Sequence, residues 1–211
     1  MRFMERVLIC LAAAGALCLT TTRTMADAPD AASSAYAHRL AVGVCGTCHG
    51  PTGNSQQPKF PRLAGQNAHY LAAQLQAFRA QTRGDPDALG YMWGMASQLD
   101  DATIEALADY YAQQKPAAIR SDHSAQIERG REIFEHGIAA EGVPACASCH
   151  GPDAHGLGDF PRLAGQHAQY VLKQLASFQS NMRNIAVMHG VAQHLRIAEM
   201  QSVAAYLEAQ N

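Results

Sequence analysis

CGTCHGPTGN, Cys45 to Asn54, returns as CASCHGPDAHG, Cys146 to Gly156. Each copy sets two thiols two residues apart, puts an imidazole directly after the second, and follows with glycine and proline. The repeat continues outward. FPRLAGQNAHYLAAQLQAF, Phe60 to Phe78, and FPRLAGQHAQYVLKQLASF, Phe160 to Phe178, are identical at 12 of 19 positions. MWGMASQL from Met92 aligns with MHGVAQHL from Met188, and IEALADYYAQQ aligns with MQSVAAYLEAQ near the two ends. The offset stays near a hundred residues, so the chain reads as two copies of one module of roughly 90 residues. Modules that small bury little core and often need a metal or cross-link to be stable.

Each module reads as helical. One helix is expected before each motif, over Ser33 to Val44 and over Ala125 to Glu135. A second follows PRLAGQ, where Tyr70, Gln74 and Phe78 share a face with Leu71 and Leu75 beside it; Tyr170, Gln174 and Phe178 repeat the spacing. A third closes each module. Asp100 is a good N-cap for the first of these, whereas Arg196 in the second copy is a poorer one. Gly-, Pro- and Asn-rich stretches between them read as loops. No stretch reads as a strand. Lys115 to His123 reads as the linker. The expected fold class is all-α, with domains over 27–117 and 118–211.

The N-terminus bounds the compartment. Arg2 and Arg6 precede an apolar run, Val7 to Leu19, and small residues lead to Thr24-Met25-Ala26. This is the pattern of a secretory signal peptide, residues 1–26, with cleavage expected after Ala26. The run is too short for a bilayer, which needs about 20 residues; the competing reading is an uncleaved anchor. No small-residue box precedes Cys10 or Cys18, which weighs against lipidation. Cleavage removes three arginines and one glutamate, leaving 13 basic against 17 acidic side chains, a net charge of −4. A mildly acidic chain without a basic tract offers nothing to nucleic acid or to an anionic membrane surface. Cys10 and Cys18 leave with the signal, and the four cysteines that remain all lie in the two motifs.

Three chemistries use CxxC. A thioredoxin-like redox pair needs a βαβ context and usually occurs once. Zinc needs four ligands, and each module brings only two thiolates and one histidine together, with an adjacent Cys-His pair awkward for a tetrahedron. A covalent haem uses every residue. Cys45 and Cys48, and again Cys146 and Cys149, would add across two vinyl groups, and His49 and His150 would then face the iron; C-x-x-C-H reads as c-type haem attachment.

An iron with one histidine needs a sixth ligand or an open site. Methionine raises the potential in electron-carrying cytochromes. M-x-G-x-A-x-x-L runs from Met92 and from Met188 in the same register, while Met95 aligns with Val191. Met92 and Met188 are therefore the expected ligands, against the ordinary reading of loop or core methionines. The rivals are His189 and His194 in the second module, and His69 and His167, which fall at the surface-facing start of a helix and read as solvated. Pro61 and Pro161 lie 12 and 11 residues beyond the histidines. Their carbonyls are candidates to hold the imidazole N–H. Arg62 and Arg162 are candidates to pair with haem propionates, against the reading of exposed arginines. Gln66 and Tyr70 read as packing and loop hydrogen bonds.

With these residues assembled, the chain resembles the cytochrome c4 family, dihaem members of the class I cytochromes c. The resemblance covers essentially the whole mature chain and rests on CGTCHGPTGN, CASCHGPDAHG, both FPRLAGQ segments and the two Met loops. It implies two tandem class I cytochrome c domains, each wrapped around one covalent haem c, packed so that the haems face each other. It further implies a periplasmic electron carrier, soluble or loosely membrane-attached and monomeric, passing electrons from a quinol–cytochrome c oxidoreductase to a terminal oxidase. Family first modules carry a glycine in the opening helix where it crosses the closing one; Leu40 is expected at that place here, and Gly130 retains it in the second copy.

Filled coordination, His49/Met92 and His150/Met188, leaves no place for substrate, so the expected role is outer-sphere electron transfer rather than catalysis. The alternative is the haem subunit of an oxidoreductase such as a flavocytochrome c sulfide dehydrogenase. Dihaem thiosulfate dehydrogenases share the layout but tend to use a cysteine ligand, and no fifth cysteine remains here. Dihaem peroxidases need an open iron and longer chains.

Overall fold

The computed structural model describes residues 30–118 and 124–211. The expected signal peptide and residues 119–123 of the expected linker lie outside the described residues. Asp30 accepts from the Ser33 amide at 2.7 Å and caps α1, Ala31–Leu40. The chain winds on through a π-helical turn, Ala41–Cys45, into the short α2, Gly46–His49. The first helix thus starts two residues earlier than expected and ends in a wider coil. Such π segments recur at functional sites.

After a long loop, α3 spans Ala68–Arg79, and its N-cap Asn67 accepts from the Tyr70 amide at 2.9 Å. A second π turn, Ala88–Met92, leads into α4, Trp93–Ala96. α5, Asp101–Ala112, closes the module; its expected cap Asp100 accepts from Thr103 N at 2.8 Å. The second module repeats the plan with α6 (Ala125–His136), α7 (Ala147–His150), α8 (Ala168–Gln179), α9 (Ala186–Ala192) and α10 (Ile197–Glu208). Residues 137–145 separate α6 from α7 with a 3-10 turn and an isolated bridge, Ile138 to Val143. No other extended pairing occurs among the described residues, so the fold is all-α. Arg196 begins α10 without capping it. Glu199 compensates, accepting from the Arg196 amide at 2.9 Å while also pairing with its guanidinium.

In each module the opening helix packs across the closing one, α1 on α5 and α6 on α10. The second crossing is set by Gly130. A Cβ there would stand 2.0 Å from the Ser202 carbonyl oxygen, so only a missing side chain permits this approach. Leu40, expected at the first crossing, is half-buried. The fully buried members of that stretch are Ala37 and Ala41, packed among Ile104, Leu107 and Ala108 of α5. Small residues make both crossings, but with alanine instead of glycine in the first.

The modules meet through a buried polar cluster built twice over. Arg83 donates to Gln74 Oε1 at 2.7 Å and to Gln174 Oε1 at 2.8 Å. Arg183 donates to the same two oxygens at 2.8 Å each. Each guanidinium also reaches the other module's tyrosine: Arg83 to Tyr170 at 3.2 Å, Arg183 to Tyr70 at 2.7 Å. Each stacks over the phenylalanine of its own module, Phe78 and Phe178. A buried polar network of this kind favours one relative orientation of its two elements.

Candidate functional site

The two motif helices deliver their side chains alike. α2 and α7 are single turns, so Cys45 and Cys48, and Cys146 and Cys149, sit about one turn apart, with His49 and His150 next in the chain. Glycine follows each histidine with positive φ, +78° at Gly50 and +79° at Gly151. That left-handed residue reverses the chain and carries it back toward the imidazole. The returning loop ends at proline. His49 Nδ1 donates to the Pro61 carbonyl at 2.9 Å, and His150 Nδ1 to the Pro161 carbonyl at 3.1 Å.

Both imidazoles are buried, with Nε2 making no protein hydrogen bond among the described residues. Burial pushes both pKa values down, only partly opposed by the proline carbonyls, so each ring is neutral. Phe60 and Phe160 stand edge-on to the two rings, with centroids 6.1 and 6.0 Å away. A neutral imidazole, anchored through one nitrogen and presenting the other, is the form that binds a transition metal.

None of the four cysteines among the described residues is paired in a disulfide. Burial raises the Cys45 pKa and pushes Cys146 up to about 11. A redox dithiol needs the opposite shift, toward an exposed thiolate. No three His, Cys, Asp or Glu side chains gather as a metal cage among the described residues. The donor set fits a cofactor that would bring most of its own metal ligands and be held in each module by the two cysteines and one imidazole of the motif.

Met92 packs with Phe78, Ala88 and Ala96 of the first module, and Met188 with the core of the second. Both are half-buried, whereas Met95 is 46% exposed. The residue after each methionine anchors its segment. Trp93 Nε1 donates to the Arg83 carbonyl at 2.8 Å, and His189 Nδ1 to the Phe178 carbonyl at 2.8 Å. His189, a rival ligand in the sequence, holds the place that Trp93 holds in the first module. In that first module Tyr91 meets Phe60 edge-on, and Phe60 meets His49, so the histidine and methionine sides touch through rings.

Arg62 and Arg162 are half-buried, and desolvation lowers both their pKa values. Arg62 donates from its side chain to the carbonyls of Gly165 and Ser55. The Arg162 guanidinium has no hydrogen-bond partner among the described residues.

His167 departs from expectation. It is buried, 3% exposed, with Nε2 3.0 Å from the Ser55 carbonyl of the other module and Nδ1 3.4 Å from Glu208 Oε1. His69 is exposed as expected and pairs with Asp159. The sequence reading also understated Gln66 and Gln166, which bridge the modules, and did not single out Arg83, Arg183 or Asp85. Their signal was in the repeat, since Arg83 and Arg183 both lie five residues past the helix phenylalanine.

Residues 34–115 and 127–211 each match the family model described as Cytochrome c. The cytochrome c4 of Azotobacter vinelandii is 38% identical over 189 residues, covering 84% of this chain and 90% of that protein. The solved cytochrome c4 of Acidithiobacillus ferrooxidans is 43% identical, with a TM-score of 0.73, covering 78% of this chain and 98% of the other. A protein of Thiomonas intermedia named thiosulfate dehydrogenase electron acceptor is 36% identical, covering 98% of this chain and 92% of its own length.

Proposed function

Because this chain belongs to the cytochrome c4 family, two tandem class I cytochrome c domains carrying two covalent haem c groups for electron transfer, we propose that it relays electrons in the periplasm from a quinol–cytochrome c oxidoreductase to a terminal oxidase. The haem supplies a one-electron iron couple. In this reading Cys45 and Cys48 hold one haem by thioethers, and Cys146 and Cys149 hold the other. The modules run over 27–117 and 118–211, and the chain works as a monomer after cleavage behind Ala26. No helix among the described residues is long and apolar enough to cross a membrane.

His49 with Met92, and His150 with Met188, would hold the two irons. Iron held by two protein ligands would offer no open site for substrate, which suits outer-sphere electron transfer. The observation that carries this reading is the pair of buried, neutral imidazoles, each tied through Nδ1 to a proline carbonyl with Nε2 left to an outside ligand. The carbonyl fixes the ring and raises its basicity. Arg62 and Arg162 would pair with haem propionates, Arg62 from a guanidinium that also donates to the Gly165 and Ser55 carbonyls.

The test is an optical spectrum of the purified protein, oxidised and reduced. A weak band at the red end of the oxidised spectrum reports methionine on iron. Ready binding of carbon monoxide to the native ferrous protein would mean an open site and sink the assignment.

A second reading rests on the Thiomonas intermedia relative: this chain takes electrons from a thiosulfate-oxidising dehydrogenase. Stopped-flow reduction by such a dehydrogenase, set against reduction by a quinol–cytochrome c oxidoreductase, separates the two donors. Co-purification with a flavoprotein would instead favour the role of haem subunit.

A further inference from the structure

Gln66 and Gln166 are buried at the module interface, and each treats the other module's arginine backbone as a strand would. Arg62 N donates to Gln166 Oε1 at 2.9 Å, and Gln166 Nε2 donates back to Arg62 O at 2.9 Å. Arg162 N donates to Gln66 Oε1 at 2.8 Å, and Gln66 Nε2 donates back to Arg162 O at 2.8 Å. Each glutamine oxygen takes one more amide, from the next residue in its own chain: Asn67 N at 2.9 Å and His167 N at 3.1 Å. Backbone amides only donate, so a flipped side-chain amide would set NH2 against two N–H groups. The orientation of both glutamines is therefore fixed.

The amide that donates to Gln166 is the peptide joining Pro61 to Arg62. Its carbonyl is the one that accepts from His49 Nδ1. The peptide joining Pro161 to Arg162 stands in the same relation to Gln66 and His150. One peptide thus separates the histidine of each module from a glutamine of the other. A peptide whose N–H is bonded is a stronger acceptor at its carbonyl, and such chains polarise one another in a low-dielectric interior.

We infer that Gln66 and Gln166 are crossed positioning residues: each tunes the axial histidine of the module it does not belong to, through the Pro161–Arg162 and Pro61–Arg62 peptides. The inference rests on the axial roles given to His49 and His150 above. A stronger Nδ1–H···O bond gives the imidazole more anionic character and favours the oxidised iron. Loss of the glutamine therefore raises the potential of the opposite haem, while a carboxylate in its place lowers it.

The test uses the full dihaem protein and its Gln166→Leu, Gln66→Leu and Gln166→Glu variants. The readouts are a redox titration resolving both couples and the 15N-histidine Nδ1–H resonances. The couples are assigned from separate Met92→His and Met188→His variants. Gln166→Leu is expected to raise the reduced-to-oxidised ratio of the first module's haem about twofold at fixed electrode potential, and to move the His49 signal while leaving that of His150 in place. Gln66→Leu does the same to the second haem and His150. Gln166→Glu keeps the acceptor toward the Arg62 amide but loses the donor toward the Arg62 carbonyl, and shifts the first haem the opposite way; retention of both haems in the optical spectrum shows that each variant is folded. A shift in the variant's own module, an equal shift of both couples, or none at all overturns the inference. Wild-type protein without two bound haems would instead overturn the ligand reading on which it rests.

Discussion

Arg83 donates from Nε to Asp85 Oδ2 at 2.7 Å, with both side chains almost wholly buried. The second module has no such carboxylate, because Ile185 stands where Asp85 would and Arg183 Nε is left without a partner. Burial alone would raise the Asp85 pKa; the charge and hydrogen bond of Arg83 outweigh it and hold the carboxyl below its usual range. A lowered folded pKa means a contribution fully present above the unfolded value near 4 and lost as pH falls through the folded one. Asp85→Asn should cost about 3 kcal/mol at neutral pH, since it leaves a buried guanidinium unpaired. Denaturant titrations from pH 7 down to 2 should show this difference shrinking in acid; a gap that persists unchanged counts against the ion pair.

Gly130→Ala should destabilise the second module by about 3 kcal/mol, because the α6–α10 crossing must open to admit a Cβ. Gly43→Ala, with nothing within 4 Å of the added carbon, serves as the control and should leave stability unchanged or slightly raised. Thermal unfolding of both variants makes the comparison.

His167→Ala should cost about 1–3 kcal/mol by stranding the buried Ser55 carbonyl, to which only a 3.4 Å bond from Arg62 would remain. His69→Ala should leave stability nearly unchanged, since its pair with Asp159 is open to solvent. Equal effects from the two substitutions would contradict the asymmetric burial of these neighbouring repeat positions.

Met188→Ala should drop the potential of one haem sharply and leave the other nearly unchanged, and Met92→Ala should do the converse. Met95→Ala, at an exposed site, should move neither. Spectroelectrochemical titration resolves the two couples. Unaltered potentials in both ligand variants would reassign the sixth ligand.

Much of the site was legible because its residues are local. Two cysteines and a histidine within five positions need only one helical turn to converge, and the duplication repeats that turn. The Pro61 and Pro161 carbonyls were within reach for a related reason: a glycine after each histidine returns the chain over a dozen residues. His167 was misread because the two copies look alike there. A histidine at a helix start is ordinarily wet, and only the neighbouring module's Ser55 carbonyl makes it dry.

The amino-acid order alone determined the duplicated all-α plan and the covalent-haem motif, and it set the expectation of Met92 and Met188 over Met95, since periodicity, spacing and internal alignment are properties of one chain read in line. Tertiary structure alone decided how the copies join: the crossed glutamines, the paired arginines over one carboxylate, and the dry histidine. Those contacts link residues about a hundred positions apart. Each is made by a side chain whose type is ordinary at its own position and acquires meaning only from the surface brought against it.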